Sequence, residues 1–442
     1  MEALRGQRGS ALVGAMVFLF ATGILSWGYL RLASYDAELV RGRADDAQIR
    51  WAAEAALSMG LARANRTPNL RSDLVFQGRE IKGYPTRFRI RKLPSPYPRY
   101  LISAYVDDPK GEDAPLCSLT TVVQAGDPGR LYFMLEENHG QSYYFTGDTI
   151  DGPVHTNTRF AIAGSPVFLD PVFEMGGGVA SGFITHPEYS TRPILTKAKP
   201  KDGPIYRFDN LSQSIRTVDP AWVIRPDPGQ VVEINFRGSL MELRYRDRMV
   251  PDGWSAPIAK PIPKAGGLFV DGEAEVRGTL GRTLTLGASG NIVITDDLVY
   301  ADSDPVTAKP REGSTVFLGL ISEKNVNVRQ VQTSEERGRG IRINASIIAM
   351  DKSFQVVNYR AHSWDMGTMR FWGTLTQVER GGIGSVKAND TFRGYHKDWH
   401  YDRRIQAQPG ALPYYPPLLT KDGYMTLDPI YYGPVAWVKA HV

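Results

Sequence analysis

The chain is 442 residues long, 42% hydrophobic and 22% charged, with a formal net charge of +5. That length predicts two or three folded units, and the composition excludes long disordered tracts. The charge lies in small groups such as Lys197, Lys199 and Lys201, without the aromatic-flanked basic stripe that nucleic acid requires, so no nucleic-acid partner is expected.

The chain begins with a helix signal. Ser10 to Leu30 carries no charge, a run of 21 residues. As a helix it is about 30 Å long, which matches a bilayer core. A cleaved secretory signal has a shorter apolar core followed by a small-residue cleavage site, whereas Arg31 follows this run directly. The run therefore predicts a membrane anchor. Arg5 and Arg8 precede it and Arg31, Arg41 and Arg43 follow, so the charge rule does not choose an orientation. Small residues that would let helices pack closely in lipid are Gly14, Ala15, Gly23 and Ser26.

No breaker appears before Pro68, so the helix is expected to continue outside the membrane over 31–68. Leu32, Tyr35, Leu39, Ala47, Trp51, Ala55 and Leu57 are spaced as one face of that helix and call for cover. Strand-like runs at 85–92, 99–106 and 117–124 predict a small antiparallel sheet within 69–128, packed on that face. Cys117, the single cysteine, allows no internal disulfide and reads as a small buried apolar residue.

From about residue 130 short apolar runs alternate with Gly, Asn and Asp turns. Segments 267–278, 284–294, 316–328, 343–356 and 371–384 each place a polar turn between two apolar runs, at a period of roughly 27–33 residues. Such imperfect repetition predicts a β-helix-like solenoid over 129–405, with a β-sandwich as the alternative. Residues 175–265, rich in Pro and aromatics (Tyr189, Tyr206, Phe208, Trp222, Trp254), read as an insertion, and 406–442 as a C-terminal extension. The expected class is mainly β with one long N-terminal α-helix.

Candidate chemistry is sparse, and no cofactor or metal is expected. His396 and His400 are four apart, beside Asp398 and Asp402, which on a helix would suit a shared metal. The surrounding aromatics favour packing instead, with Asp402 paired to Arg403 or Arg404. His155 lacks a nucleophile partner and a G-x-S-x-G elbow, and reads as a turn residue bonding backbone groups. The pairs Asp296/Asp297 and Asp302/Asp304 sit where a β-helix polysaccharide enzyme could hold carboxylates, yet turns alone favour Asp there.

Several segments resemble a known family. Arg8-Gly9-Ser10-Ala11-Leu12-Val13 is similar to a prepilin leader, which implies cleavage after Gly9 and Ser10 as the new N-terminus, with 1–9 removed. Arg50 to Leu57 resembles the "A-x-x-A-E-A-G" element of PilX-type pilus assembly proteins. Gly14 stands where main-subunit pilins carry Glu, which argues against a main filament subunit and leaves a minor one open. Residues 148–157, 162–168, 380–385, 394–404 and 413–417 resemble, in order, segments of a β-rich domain common in PilX-like surface proteins; Trp399 replaces a usual Tyr. The resemblance implies a structural minor pilin or pilus assembly protein that is not an enzyme. Its partners would be the inner membrane through 10–30 and other pilins, with the bulk of the chain periplasmic or extracellular. A membrane-tethered enzyme acting on polysaccharide and an adhesin for a surface or glycan ligand remain the alternatives.

Overall fold

The computed structural model describes residues 3–67, 70, 73–94, 99–111, 114–138, 144–145, 148–158, 162–163, 166–170, 172–174, 201–202, 205–250, 252–329, 338–358, 365–386, 392–408, 410–425, 427–432 and 436–437. One helix, α1 (Ala3–Asn65), is followed by strands β1 (Leu74–Gln77), β2 (Thr86–Lys92), β3 (Arg99–Val106) and β4 (Cys117–Ala125). These pair antiparallel in the order β1, β2, β3, β4, and Leu427–Tyr432 pairs antiparallel with the free side of β4. Alternation explains the sheet: Thr86, Phe88 and Ile90 of β2 are buried, while Arg87, Arg89 and Arg91 point away. The C-terminal segment is thus no mere extension, because part of it supplies a strand to the first sheet.

The upper part of α1 lies on this sheet through Ile49, Ala52, Ala53, Ala56 and Ala64, all buried. Small residues are required because the backbones approach closely: a Cβ on Gly60 would stand 2.8 Å from Ile102. The covered face therefore differs from the expected one. Leu32, Tyr35, Leu39 and Trp51 stay exposed, since the sheet docks higher and selects the alanine-rich side. Cys117 is buried beneath Ile49 and Ala53, and burial raises its thiol pKa.

The remaining chain is built from three rows of parallel strand pairs. In the first row Gly267 pairs with Thr285, Thr285 with Gly319, Gly319 with Ser346 and Ser346 with Thr374, steps of 18, 34, 27 and 28 residues. The spacing is less regular than expected because some steps carry outward loops. A second row links Val232, Ala274, Ile292, Val326 and Phe354. A third links Phe236, Gly278, Leu298, Ile343, Phe371 and Trp399. Residues 223–238, expected in an insertion, pair within these rows, whereas 240–261 fold across as antiparallel strands. Residues 175–200 of that expected insertion lie outside the described residues.

The first row has an unusual order. After the strand Asp365–Glu379, its next member is Met134–Asn138, from far earlier in the chain, followed by Val154–Thr156 and Val172–Glu174. One register column runs Leu268, Leu286, Leu320, Ile347, Leu375, Met134, Val154, Val172, all in one buried cluster. The neighbouring column contains Phe269, Ile321, Ile348 and Leu135, and faces the other way into a second cluster. Tyr206, Phe208, Leu211, Ile215, Leu412, Tyr415 and Leu418 cover it. Both faces of this row are buried, which explains runs such as Leu318–Ser322 with every residue buried.

Candidate functional site

The candidate features lie in two regions: the uncovered part of α1 and the charged outer surfaces of the rows. α1 has the length and composition to cross a membrane, which fits a membrane anchor or a signal sequence, and the chain buries none of its apolar window. Met16, Phe18, Leu19, Phe20, Leu25 and Leu30 are exposed to a degree that water penalises. The guanidinium of Arg31 lies 5.2 Å from the Trp27 ring centroid, at the end of the apolar run. Aromatic and cationic side chains concentrate at this position where a helix leaves lipid.

Of the residues read as packing positions, Gly23 has open space around it and Ser26 is exposed. Gly9, Ser10, Gly14 and Ala15 are helical in backbone, and their side-chain surroundings lie outside the described residues. Gly28 and Gly42 also meet open space and did not figure in that reading; the fourteen-residue steps from Gly14 to Gly28 and from Gly28 to Gly42 were the available signal.

His396 and His400 belong to the strand Phe392–Tyr401 and not to a helix. Four strand residues span roughly 13 Å, too far for one metal. His396 Nε2 is 2.9 Å from Asp365, and His400 Nε2 is 2.8 Å from Asp398, with its ring stacked on Trp372 at 4.3 Å. Among the described residues, no group of three or more His, Cys, Asp or Glu could hold a metal ion. Tyr395, Trp399 and Tyr401 are interior, with Trp399 5.6 Å from Phe371, and Asp402 pairs with Arg404 at 2.7 Å.

His155 is fully buried in a strand and not at a turn. It lies in the outward column of the first row, between Leu135 and Phe173 in register, with Tyr132 and Tyr206 against its ring. The neighbouring Asn157 makes the backbone bonds: its Nδ2 donates to the Tyr206 carbonyl at 2.8 Å, and its Oδ1 accepts from the Tyr206 N–H at 2.9 Å.

Three of the four paired carboxylates are already engaged. Asp297 accepts three bonds from Arg342, two from its guanidinium at 3.0 and 2.6 Å and one from its backbone N–H at 2.8 Å, and Asp296 accepts from Arg339 at 2.5 Å. They line a groove of about 180 Å³ with Arg277 and Asn235, where Glu233 accepts from Arg277 at 2.8 Å. Asp304 accepts from the N–H groups of Val306 and Thr307, which hold its carboxyl below the usual value. Asp302 lies within electrostatic reach of Tyr300 and Arg404. Asp296, Asp297 and Asp304 are thus spent on guanidinium groups and turn amides, whereas the Asp302 Oδ1 is buried without a hydrogen-bond partner among the described residues. The aromatics of 205–265 are also occupied: Tyr206 and Phe208 are buried in the cover, Trp222 packs beside it, and Trp254 carries Arg246 at 4.8 Å. Tyr189 lies outside the described residues.

No family model, curated protein or solved structure matches this chain.

Proposed function

We propose that this protein is a membrane-anchored structural protein of the type IV pilus kind, a minor pilin or PilX-type pilus assembly protein. The observation that carries this reading is the continuity of α1, bare and apolar in its lower half and built into a sheet in its upper half. Such a helix joins a bilayer to a folded head without a flexible linker. In this reading the three parallel rows are the walls of a β-helix-like solenoid displayed outside the cytoplasm. The segments that resemble a prepilin leader and a PilX-associated domain support the same assignment. Engagement of Asp296, Asp297 and Asp304 speaks against a polysaccharide lyase or hydrolase built on those carboxylates, and the packed aromatics of 205–265 against an adhesive patch there.

The deciding experiment is mass spectrometry of the mature N-terminus in membrane and sheared-filament fractions. Ser10 as first residue supports the pilin reading. Intact Met1 in a membrane-bound protein overturns leader processing and leaves an anchored β-rich protein.

A further inference from the structure

Between the membrane run and the head, α1 is exposed on every side over residues 31–41. Leu25, near the end of the membrane run, and Leu32 and Leu39 on this segment lie seven residues apart, and all are exposed. Three residues beyond each lie Gly28, Tyr35 and Gly42. This is the spacing of the two core positions of a heptad repeat, with glycine at two of the three second positions. The next core residue, Asp46, ends the pattern just below Ile49, which is already under the head's own sheet.

The charges beside this seam follow the same frame. Arg31 and Asp36 are five apart, as are Glu38 and Arg43, and each couple is opposite in sign. Five residues apart on one helix do not face each other. In a parallel, in-register helix pair, however, they are the flanking positions that meet across the seam. Asp36, Glu38 and Arg43 make no ion pair or hydrogen bond with other described residues, so this complementarity is unused among them. Gly28 and Gly42 add an independent sign. Glycine weakens a helix interior, and among the described residues nothing beyond the helix's own backbone comes within 4 Å of a Cβ placed at either. Close approach of a second helix is the physical reason to keep both positions bare.

We infer that residues 25–42 form a parallel, in-register coiled coil with a second copy of this chain. The parallel direction rests on the anchor reading above, since two copies entering one bilayer the same way have parallel helices. The charge pattern selects register and partner. A helix array staggered along the membrane normal would not align Arg31 with Asp36 of the second copy.

The test is single-cysteine crosslinking of the full chain in native membranes with a short bismaleimide, Cys117 being buried. Leu32→Cys and Leu39→Cys should each give a covalent dimer, at least tenfold more than Ala37→Cys on the far side of the helix. Equal yields at all three positions, or no dimer at any, overturn the seam. So does a dimer that forms only when Leu32→Cys and Leu39→Cys chains are mixed, which means a staggered array. Glu38→Arg should cut the Leu32→Cys dimer several-fold, and adding Arg43→Glu should restore it; no restoration overturns the pairing. Sedimentation of the same sample reports the anchor separately. Crosslinks are read in whichever fraction holds the protein, so loss of the anchor and loss of the seam are distinguishable.

Discussion

Leu375 and Met134 are register partners across two parallel strands although 241 positions separate them. The Leu375 N–H donates to the Phe133 carbonyl at 2.7 Å, and both side chains sit in the continuous interior column. At this seam the run that leaves the small sheet meets the run that returns to it. Leu375→Ala should cost about 2–5 kcal/mol, as for other buried leucines, and Met134→Ala a similar amount. Because the two touch one shared space, the double variant should cost less than the sum. Denaturant unfolding of the three variants checks this; strict additivity would mean that the seam does not couple the two runs.

Close to that seam Glu136 and Arg380 are buried together, 3.6 Å apart, and the Arg380 guanidinium lies 3.4 Å from the Tyr144 ring centroid. Gln377 also donates to Glu136 at 3.0 Å. Removing one charge leaves the other desolvated, so Arg380→Met should cost about 3–5 kcal/mol. Arg380→Met with Glu136→Leu should recover much of that loss. Equal destabilisation of the single and double variants would show that shape, and not the stranded charge, sets the cost.

The cover over the first row is tied down by Arg216 and Glu323, which are bonded to each other. Burial alone would raise the Glu323 carboxyl, but hydrogen bonds from Arg216 and Ser212 outweigh it and hold it below the ordinary carboxylate value. A group depressed in the folded state stabilises above its unfolded pKa and loses that contribution as pH falls through the folded one. Wild type should therefore exceed Glu323→Gln in stability by about 0.2–1 kcal/mol at pH 7, the small figure reflecting the half-exposed Arg216. The gap should close below about pH 4. Parallel unfolding curves from pH 7 to pH 3 would reveal it; a gap independent of pH would assign the effect to packing.

The two ends of the head are joined. The Met425 N–H donates to the Asn65 carbonyl at 2.9 Å, at the end of α1. The Tyr100 hydroxyl donates to the Met425 sulfur at 3.8 Å, and burial pushes the Tyr100 pKa up to about 12. Truncation after Met425 removes the strand beside β4 while leaving this joint. Amide exchange at Val122 and Gln124 should then rise at least tenfold, with Leu286 and Leu320 unchanged. A uniform rise across both regions would mean that the last strand stabilises the whole head and not the small sheet alone.

Much of the architecture was legible because it rests on local pattern. An uncharged run of helix length, the period-two alternation of β2, and apolar runs broken by turns each report burial within a short window. The aromatic packing around Trp399 and the Asp402–Arg404 pair were readable for the same reason. The covered face of α1 was not: periodicity finds an apolar stripe, but where a sheet docks depends on how close two backbones can come, and that chose Ala52, Ala53, Ala56 and Gly60 over Leu32 and Tyr35. His155 was misplaced similarly, since a His beside Asn and Pro looks like a turn until its register with Leu135 and Phe173 is known.

By itself the amino-acid sequence determined that a long apolar helix leads into a β-rich chain with regular turns, because helix length and strand alternation are properties of neighbouring residues. Only the tertiary structure decided that Met134 follows Leu375 in the first row and that the chain's end completes its first sheet. It alone showed that segments around Ile215 and Tyr415 bury the outward face of that row. Parallel pairing depends on which backbone edges meet, and edges hundreds of residues apart leave no mark on either one's local pattern.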